Sequence, residues 1–273
     1  MRAVDHPHGI YAQPRTVSDL EDCYFYHSVD LPGLGVVRGK WDLRRRFDEY
    51  VGGVQFGGKR VLDLGTASGF LAFSMEQRGA DVVAYDLSDD YAWDFVPFAG
   101  QDLRRVSEQH KLHIRRLNNG FWYCHRALRS KVRLAHGSVY AIPDALGEVD
   151  ISTIGCMLLH LRDPFLALQQ ACRITRETMV VVERPPNLQM VIGGALRALR
   201  LPTPASLFPG KPYLQFLPSA RRRGPGDTWW RLPAKTVVEF LAVLGFRRAR
   251  VTYHTQRWEG RLRVLYTVVA HRA

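Results

Sequence analysis

The sequence is poor in cysteine, and none of its four cysteines lies close to another. They form no C-x-x-C pair and show no zinc-ligand spacing, which argues against a structural metal site and a disulfide framework and favours reduced thiols. His110 and His113 are separated by two residues but have no further ligand types nearby, so no metal site is expected. The cysteines are Cys23, Cys124, Cys156 and Cys172.

Long hydrophobic runs are also missing. No apolar stretch approaches the roughly 20 residues needed to span a bilayer. The N-terminus, MRAVDHPHGIYAQ, lacks the apolar centre of a signal peptide. These absences predict a cytoplasmic protein without a membrane partner. A chain of 273 residues that is 46% hydrophobic can bury one large α/β core with appendages, but hardly two independent domains.

Acidic residues are outnumbered by basic ones. Asp and Glu total 26 against 38 Lys and Arg, which gives a formal net charge of +12. A basic surface is typical of nucleic-acid binding. The arginines, however, are spread along the whole chain, and 221–223 is the only notable run outside the expected helices. Charge alone therefore leaves a nucleic-acid partner as the less favoured interpretation.

The most informative stretch begins with a short apolar strand at 61–64. A glycine turn at 65–69 follows, then a helix-type apolar spacing over 70–77, then a second strand at 81–85 that ends in Asp86. Strand, glycine turn, helix, strand and acid in this order predict the start of a doubly wound nucleotide-binding fold.

The turn does not suit a dinucleotide. A dinucleotide site has the pattern G-x-G-x-x-G, whereas this chain has D-x-G-x-x-x-G, led by Asp63. That carboxylate would repel a pyrophosphate but suits a ligand with an ammonium and a sulfonium group, and Asp86 is placed to bind two ribose hydroxyls. An ordinary α/β protein with a glycine turn is the alternative.

VLDLGTASG resembles the first motif of the class I methyltransferases that bind S-adenosylmethionine (SAM). The resemblance implies SAM as cofactor, with S-adenosylhomocysteine (SAH) as product. It also implies that adenine lies against the loop after the third strand, 132–135, and that the end of the fourth strand, 149–155, borders the sulfonium. The cofactor-binding residues implied are Asp63, Gly65, Thr66, Ala67, Gly69, Asp86, Leu87, Ser138, Val139 and Gly155.

The expected fold is a Rossmann-like α/β fold with a seven-stranded, mostly parallel sheet and helices on both faces. A fifth strand is expected at 178–183, a helix at 234–244 and closing strands at 247–255 and 261–270. The expected parts are an N-terminal aromatic lid (1–52), the SAM-binding core (53–184), a substrate-covering insertion (185–232) with a helix at 188–199, and a C-terminal helix and hairpin (233–273).

The core is expected to carry an insertion at 91–130 with two helices. Polar residues predict the first helix over 101–117, and aromatic residues predict the second over 121–128. Asn118-Asn119-Gly120 is expected to separate them. A short basic amphipathic helix is also expected at 43–51.

A closer resemblance covers roughly residues 25–250. Lys40-Trp41-Asp42, VLDLGTASGF, LLHLRDP and TWWRLP are similar to motifs of bacterial methyltransferases related to the tRNA wobble-uridine carboxymethyltransferase. This resemblance implies that Lys40 helps to hold the cofactor. Those enzymes have a tyrosine immediately before the histidine that matches His160. This chain has Leu159 there, as in relatives that resemble small-molecule tailoring enzymes.

The expected chemistry is direct, in-line displacement at the methyl carbon, with positioning as the main source of rate. A hydroxyl acceptor needs a base to take its proton. His160 is the first candidate, followed by Glu183 and His27, and a purely structural role for His160 is the alternative. The expected pocket walls are aromatic: Tyr24, Tyr26, Trp93, Trp122 and Trp229.

Three functions follow from these patterns. The favoured one is methylation of a small-molecule hydroxyl, on a natural product or a sugar-like metabolite. The alternative is a tRNA-modifying methyltransferase. A SAM-binding protein without turnover is less favoured, because Asp63, Gly65, Gly69 and Asp86 are all present. The aromatic N-terminal segment is also compatible with a homodimer.

Overall fold

In the computed structural model, residues 9–186, 211–221 and 226–273 are described, and all structural statements concern these. They form twelve strands and five α-helices. The strands are β1 (Val29–Leu31), β2 (Gly35–Val37), β3 (Trp41–Asp42), β4 (Arg60–Leu64), β5 (Asp81–Asp86), β6 (Arg133–His136), β7 (Val149–Gly155), β8 (Thr175–Glu183), β9 (Gln215–Phe216), β10 (Trp230–Arg231), β11 (Arg248–Trp258) and β12 (Arg261–His271). The helices are α1 (Phe47–Tyr50), α2 (Phe70–Glu76), α3 (Leu103–Ala127), α4 (Pro164–Ile174) and α5 (Ala234–Val243).

One large sheet organises the chain, with the strand order β3-β11-β12-β8-β7-β4-β5-β6. Strands β8, β7, β4, β5 and β6 are parallel, whereas β12 enters antiparallel to β8 and β11 is antiparallel to β12. The chain runs outward from β4 to β6 and then returns to β7 on the other side of β4. Ligands bind at such a reversal, beyond the carboxyl ends of the strands. The expected Rossmann-like α/β fold is confirmed.

The sheet has eight strands where seven were expected. The additional strand is β3, which pairs with the far end of β11 through Asp42↔Arg257 and Trp41↔Trp258. Strand β11 extends three residues beyond the predicted end at 255, and this extension supplies the pairing edge. The N-terminal segment is thereby attached to the sheet itself.

Two helix predictions were wrong in their bounds. The insertion carries one continuous helix, α3, with no break at 118–120. Asn118 is buried and donates to Leu87 O at 3.1 Å and Asp89 Oδ1 at 2.8 Å, while a Cβ on Gly120 would lie 2.7 Å from Tyr24 O. Asn118 and Gly120 therefore lie on a face of α3 that packs closely against neighbouring segments. These tertiary contacts outweigh the low helix propensity of both residues.

The basic helix expected at 43–51 is reduced to the 3₁₀ turn Arg44–Arg46 and the single turn α1. The helix predicted at 188–199 lies outside the described residues. Among the described residues, no helix is both long enough and apolar enough to cross a membrane.

The N-terminal segment lies over the carboxyl edge of the sheet. Tyr24 N–H donates to Arg116 O on α3 at 2.8 Å, and Trp41 N–H donates to Tyr26 O at 3.0 Å. Further along the segment, Lys40 O accepts the N–H of Glu259, which lies in the turn between β11 and β12, at 2.7 Å. These backbone bonds hold the segment between α3 and the β11–β12 hairpin, and they place its aromatic residues above the strand ends.

Candidate active site

The turn between β4 and α2 is built for close approach. Gly65 and Gly69 have φ values of 74° and 87°, in the left-handed region where glycine is favoured. A Cβ on Gly65 would lie 2.6 Å from Met157 Sδ, and one on Gly69 would lie 2.4 Å from the Phe73 ring. A side chain at either position would collide with Met157 or Phe73, so only glycine allows the backbone of this turn to approach its neighbours, and a ligand, closely.

Asp86, the last residue of β5, fixes this turn. Its Oδ2 accepts the N–H of Ala67 at 2.7 Å, and its Oδ1 accepts the N–H of Leu87 at 2.8 Å. Ala67 itself has a φ of 51°, so the carboxylate holds a conformation that a non-glycine residue rarely adopts. Burial raises the pKa of Asp86, while the two backbone donors lower it. Each oxygen keeps a second lone-pair site for a ligand hydroxyl.

Asp63 lies beneath the turn. Its side chain is almost fully buried, and Oδ1 accepts the hydroxyl of Thr153 at 2.7 Å. Burial raises the pKa of Asp63 to about 6, against the opposing effect of that hydrogen bond. The charged form therefore lacks a full set of partners, and a cation above the turn would stabilise it.

A cavity of about 770 Å³ opens above the strand ends. Nine of the fourteen residues expected at the site line it: Lys40, Gly65, Ala67, Asp86, Leu87, Ser138, Val139, Gly155 and His160. The other five do not reach its surface; they are Asp63, Thr66, Gly69, Glu183 and His27.

His160 lies at the end of the 3₁₀ turn Leu158–His160, which follows β7. Its Nδ1 is within hydrogen-bonding distance of the backbone carbonyl of Asp227. A carbonyl only accepts, so Nδ1 carries the proton in the neutral imidazole and Nε2 carries the lone pair. The imidazole in this tautomer is equipped to take a proton from a group in the cavity.

Glu183 and His27 are buried behind the cavity wall. Glu183 ends β8, and burial raises its pKa to about 8 although Leu159 N–H donates to it at 3.3 Å. His27 is also enclosed, and burial lowers its pKa to about 3. Neither side chain lines the cavity, so the geometry favours His160 among the three candidate bases.

The aromatic wall differs from the expected one. Tyr24, Tyr26 and Trp93 line the cavity, whereas Trp122 is buried against Phe121 and His125. Trp229 is also buried, with Arg162 above its ring. Sequence reasoning did not assign several other cavity residues to the site: Trp41, Asp94, His110, His113, Tyr140, Arg184, Asp227, Trp258 and Arg263.

The spacing of His110 and His113, three apart on a helix, was a signal that both face one side. In the structure His110 stacks on Trp93, whereas His113 packs edge-on against Trp93 and tilted against Tyr24. Among the described residues, no group of three or more His, Cys, Asp or Glu side chains is arranged to hold a metal ion.

No family model and no curated protein matches the chain. Solved structures are similar to it in fold. The N-terminal domain of EvdMO1 with SAH bound has a TM-score of 0.49 and 17% identity, covering 93% of this chain and 92% of that one. Magnesium protoporphyrin IX methyltransferase from Synechocystis PCC 6803 has a TM-score of 0.47 and 12% identity, covering 80% and 75%.

The 1,6-didemethyltoxoflavin-N1-methyltransferase of Burkholderia thailandensis has a TM-score of 0.45 and 13% identity, covering 85% of this chain and 78% of that one. At these identities and TM-scores the likenesses do not by themselves assign an activity.

Proposed function

We propose that the chain is a SAM-dependent methyltransferase that moves a methyl group to a hydroxyl of a small-molecule acceptor. The observation that carries the proposal is the placement of Asp86 and His160 in one cavity. Asp86 offers free lone pairs at the end of β5 beside a glycine turn, and His160 offers a free Nε2. The lone pairs of Asp86 suit the hydroxyls of a ribose, and Nε2 of His160 suits an acceptor that gives up a proton.

The cavity residues fit the cofactor from end to end. Asp86 would accept the ribose hydroxyls, Ser138 and Val139 would contact the adenine, and the turn at 65–69 would pass beneath the methionyl part. The carboxyl group of Asp63 does not reach the cavity, so it would act on the ammonium group only through its charge beneath the turn. When bound, SAM supplies an electrophilic methyl group on a sulfonium.

The remaining chemistry belongs to this chain. As the acceptor oxygen forms its bond to the methyl carbon, the carbon–sulfur bond breaks and the electron pair stays on sulfur. The acceptor proton passes to Nε2 of His160, which the Asp227 carbonyl holds in the accepting tautomer. No further charged side chain is needed to account for the proton and the electron pair.

Modification of tRNA is the alternative, and the net charge of +12 favours it. One observation counts for a small molecule instead. Leu159, which lines the cavity, offers no side-chain hydrogen bond where the tRNA enzymes have a tyrosine.

The test is titration calorimetry of the full chain with SAM and SAH, repeated with bulk tRNA over a salt series. Binding of SAM and SAH without a salt-sensitive tRNA complex supports the proposal. A tRNA complex that weakens steeply with salt, through counterion release, would support the RNA-modifying alternative. Absence of SAM and SAH binding would overturn the methyltransferase assignment.

A further inference from the structure

One corner of the cavity is built from rings that pack on one another. Trp93, in the segment after β5, stacks on His110 of α3 with ring centroids 4.0 Å apart and planes 20° apart. One turn further along α3, His113 meets the edge of Trp93 at 5.3 Å and the ring of Tyr24 at 4.3 Å. All four side chains line the cavity. Each of these rings therefore packs against at least one other ring of the same corner.

A second group of rings lines the same cavity and adjoins the first, because Lys40 of this group interacts with the Tyr24 side chain. Trp258, at the end of β11, packs against Tyr26 at 6.0 Å and Trp41 at 4.8 Å between centroids. Lys40 Nζ lies 5.5 Å from the Trp258 ring centroid and 3.5 Å from a carboxylate oxygen of Glu259. The lysine therefore already has an aromatic and an anionic partner.

The two histidines of the first corner behave as neutral rings. Burial is the main cause that lowers the pKa of both His110 and His113, and the positive charges of Lys40 and Arg116 lower that of His113 further. Near neutral pH they therefore present flat, uncharged faces and edges. They extend the aromatic surface of Trp93 and Tyr24.

We propose that the acceptor is a phenol, a hydroxyl on an aromatic ring, and that its ring packs against the rings of these two groups. The inference deepens the proposed function and rests on it. Aromatic rings pack favourably on one another in offset or edge-to-face arrangements. A saturated sugar has no π face, so it would gain less than an aromatic ring from these stacked and edge-on ring surfaces.

A phenol also matches the available base. A phenolic hydroxyl has a pKa of about 10, as in tyrosine, so it releases its proton far more readily than an aliphatic alcohol. A single imidazole, that of His160, can therefore take that proton at Nε2 while the new oxygen–carbon bond forms. The phenolic proton moves to Nε2, and the methyl carbon leaves sulfur.

The test uses SAH-loaded protein and two probes of similar shape, 2-naphthol and decahydro-2-naphthol, with methyl glucoside as the sugar probe. SAH binding is measured first, so that failure of the cofactor site is seen separately. We expect 2-naphthol to bind at least tenfold more tightly than decahydro-2-naphthol, and methyl glucoside not to compete. Equal affinity of the two naphthalene-type probes, or tighter binding of the glucoside, would overturn the proposal.

Substitutions at Trp93 test whether this corner of the cavity binds the ring of the probe. Trp93→Leu should remove the preference for 2-naphthol without changing SAH affinity, whereas Trp93→Phe should keep it. The control is Phe216→Leu, because Phe216 is 54% exposed and does not line the cavity. A preference for 2-naphthol that survives in folded Trp93→Leu protein would show that this corner does not receive the ring.

Discussion

The carboxyl group of Glu183 holds the backbone of Leu159. Leu159 N–H donates to Glu183 Oε1 at 3.3 Å, and on the other side of the same residue Leu159 O accepts Trp229 N–H at 2.9 Å. The turn that carries His160 is therefore fastened to β8 on one side and to the segment before β10 on the other. Glu183 is a positioning residue for this turn, since its own side chain does not reach the cavity.

Glu183 should make stability depend on pH. Its pKa is raised from 4.5 to about 8, so the folded chain binds this proton more tightly than the unfolded chain. The resulting stabilisation is complete below pH 4.5 and is lost as the pH rises to about 8. Relative to Glu183→Gln, wild type should lose up to about 5 kcal/mol of unfolding free energy over this range, at roughly 1.4 kcal/mol per pH unit.

Urea unfolding at several pH values between 4.5 and 8 would measure this difference. Asp63 and His27 also titrate abnormally, but they are present in both proteins and cancel in the comparison. Parallel stability profiles for wild type and Glu183→Gln would show that the buried carboxyl group is not protonated in the folded chain.

Asp86→Ala should weaken SAH binding by at least about 100-fold, because hydrogen bonds to a charged acceptor contribute about 1.5–3 kcal/mol each. Calorimetry gives the affinity directly. The matched control is Asp81→Ala, at the opposite end of β5, where an exposed carboxylate pairs with Arg133. Unchanged SAH affinity in Asp86→Ala would remove the ribose assignment.

His160→Ala should lower the rate of methyl transfer by about 10²- to 10⁴-fold, the usual contribution of a general base. SAH affinity should stay the same, since the imidazole acts on the acceptor. Rates would be compared on whichever phenol gives the highest turnover, with His271→Ala, at the end of β12, as the control. A variant as fast as wild type would show that His160 is not the base.

Gly120→Ala should destabilise the chain, although alanine is the better helix former by about 1 kcal/mol. The new Cβ would lie 2.7 Å from Tyr24 O, a backbone atom that cannot move without shifting the N-terminal segment. We expect a loss of about 1–3 kcal/mol in urea unfolding, typical of overpacking. Leu112→Ala, at an exposed position of the same helix, is the control. A stabilised Gly120→Ala protein would contradict the close contact.

The cofactor half of the cavity could be predicted from the sequence because its signals are local. Gly65, Gly69 and Asp86 lie within 22 consecutive positions, and a strand–turn–helix–strand unit fixes their arrangement. The aromatic wall could be predicted only in part. Tyr24 and Trp93 were expected there and line the cavity, whereas Trp258 was not expected, because only the pairing of β3 with β11 brings it to the cavity.

Burial was the other property that the sequence did not reveal. Glu183 was correctly expected at the carboxyl end of a strand, on the ligand side. Position along a strand does not determine whether the side chain enters the cavity or turns beneath the neighbouring loop, and here the N–H of Leu159 draws it beneath. His27 is likewise enclosed, with the Tyr26 ring 5.1 Å and the Phe70 ring 5.8 Å away between centroids.

The segment 226–232 borders the cavity and at the same time sets the proton position on His160. Asp227 and Thr228 line the cavity, the Asp227 carbonyl fixes the imidazole, and Trp229 N–H anchors the turn beside it. A substitution that shifts the backbone at Asp227 would therefore change two properties at once, the shape of the cavity and the tautomer of the His160 imidazole. Specificity for the acceptor and proton acceptance are thus coupled through a single carbonyl group.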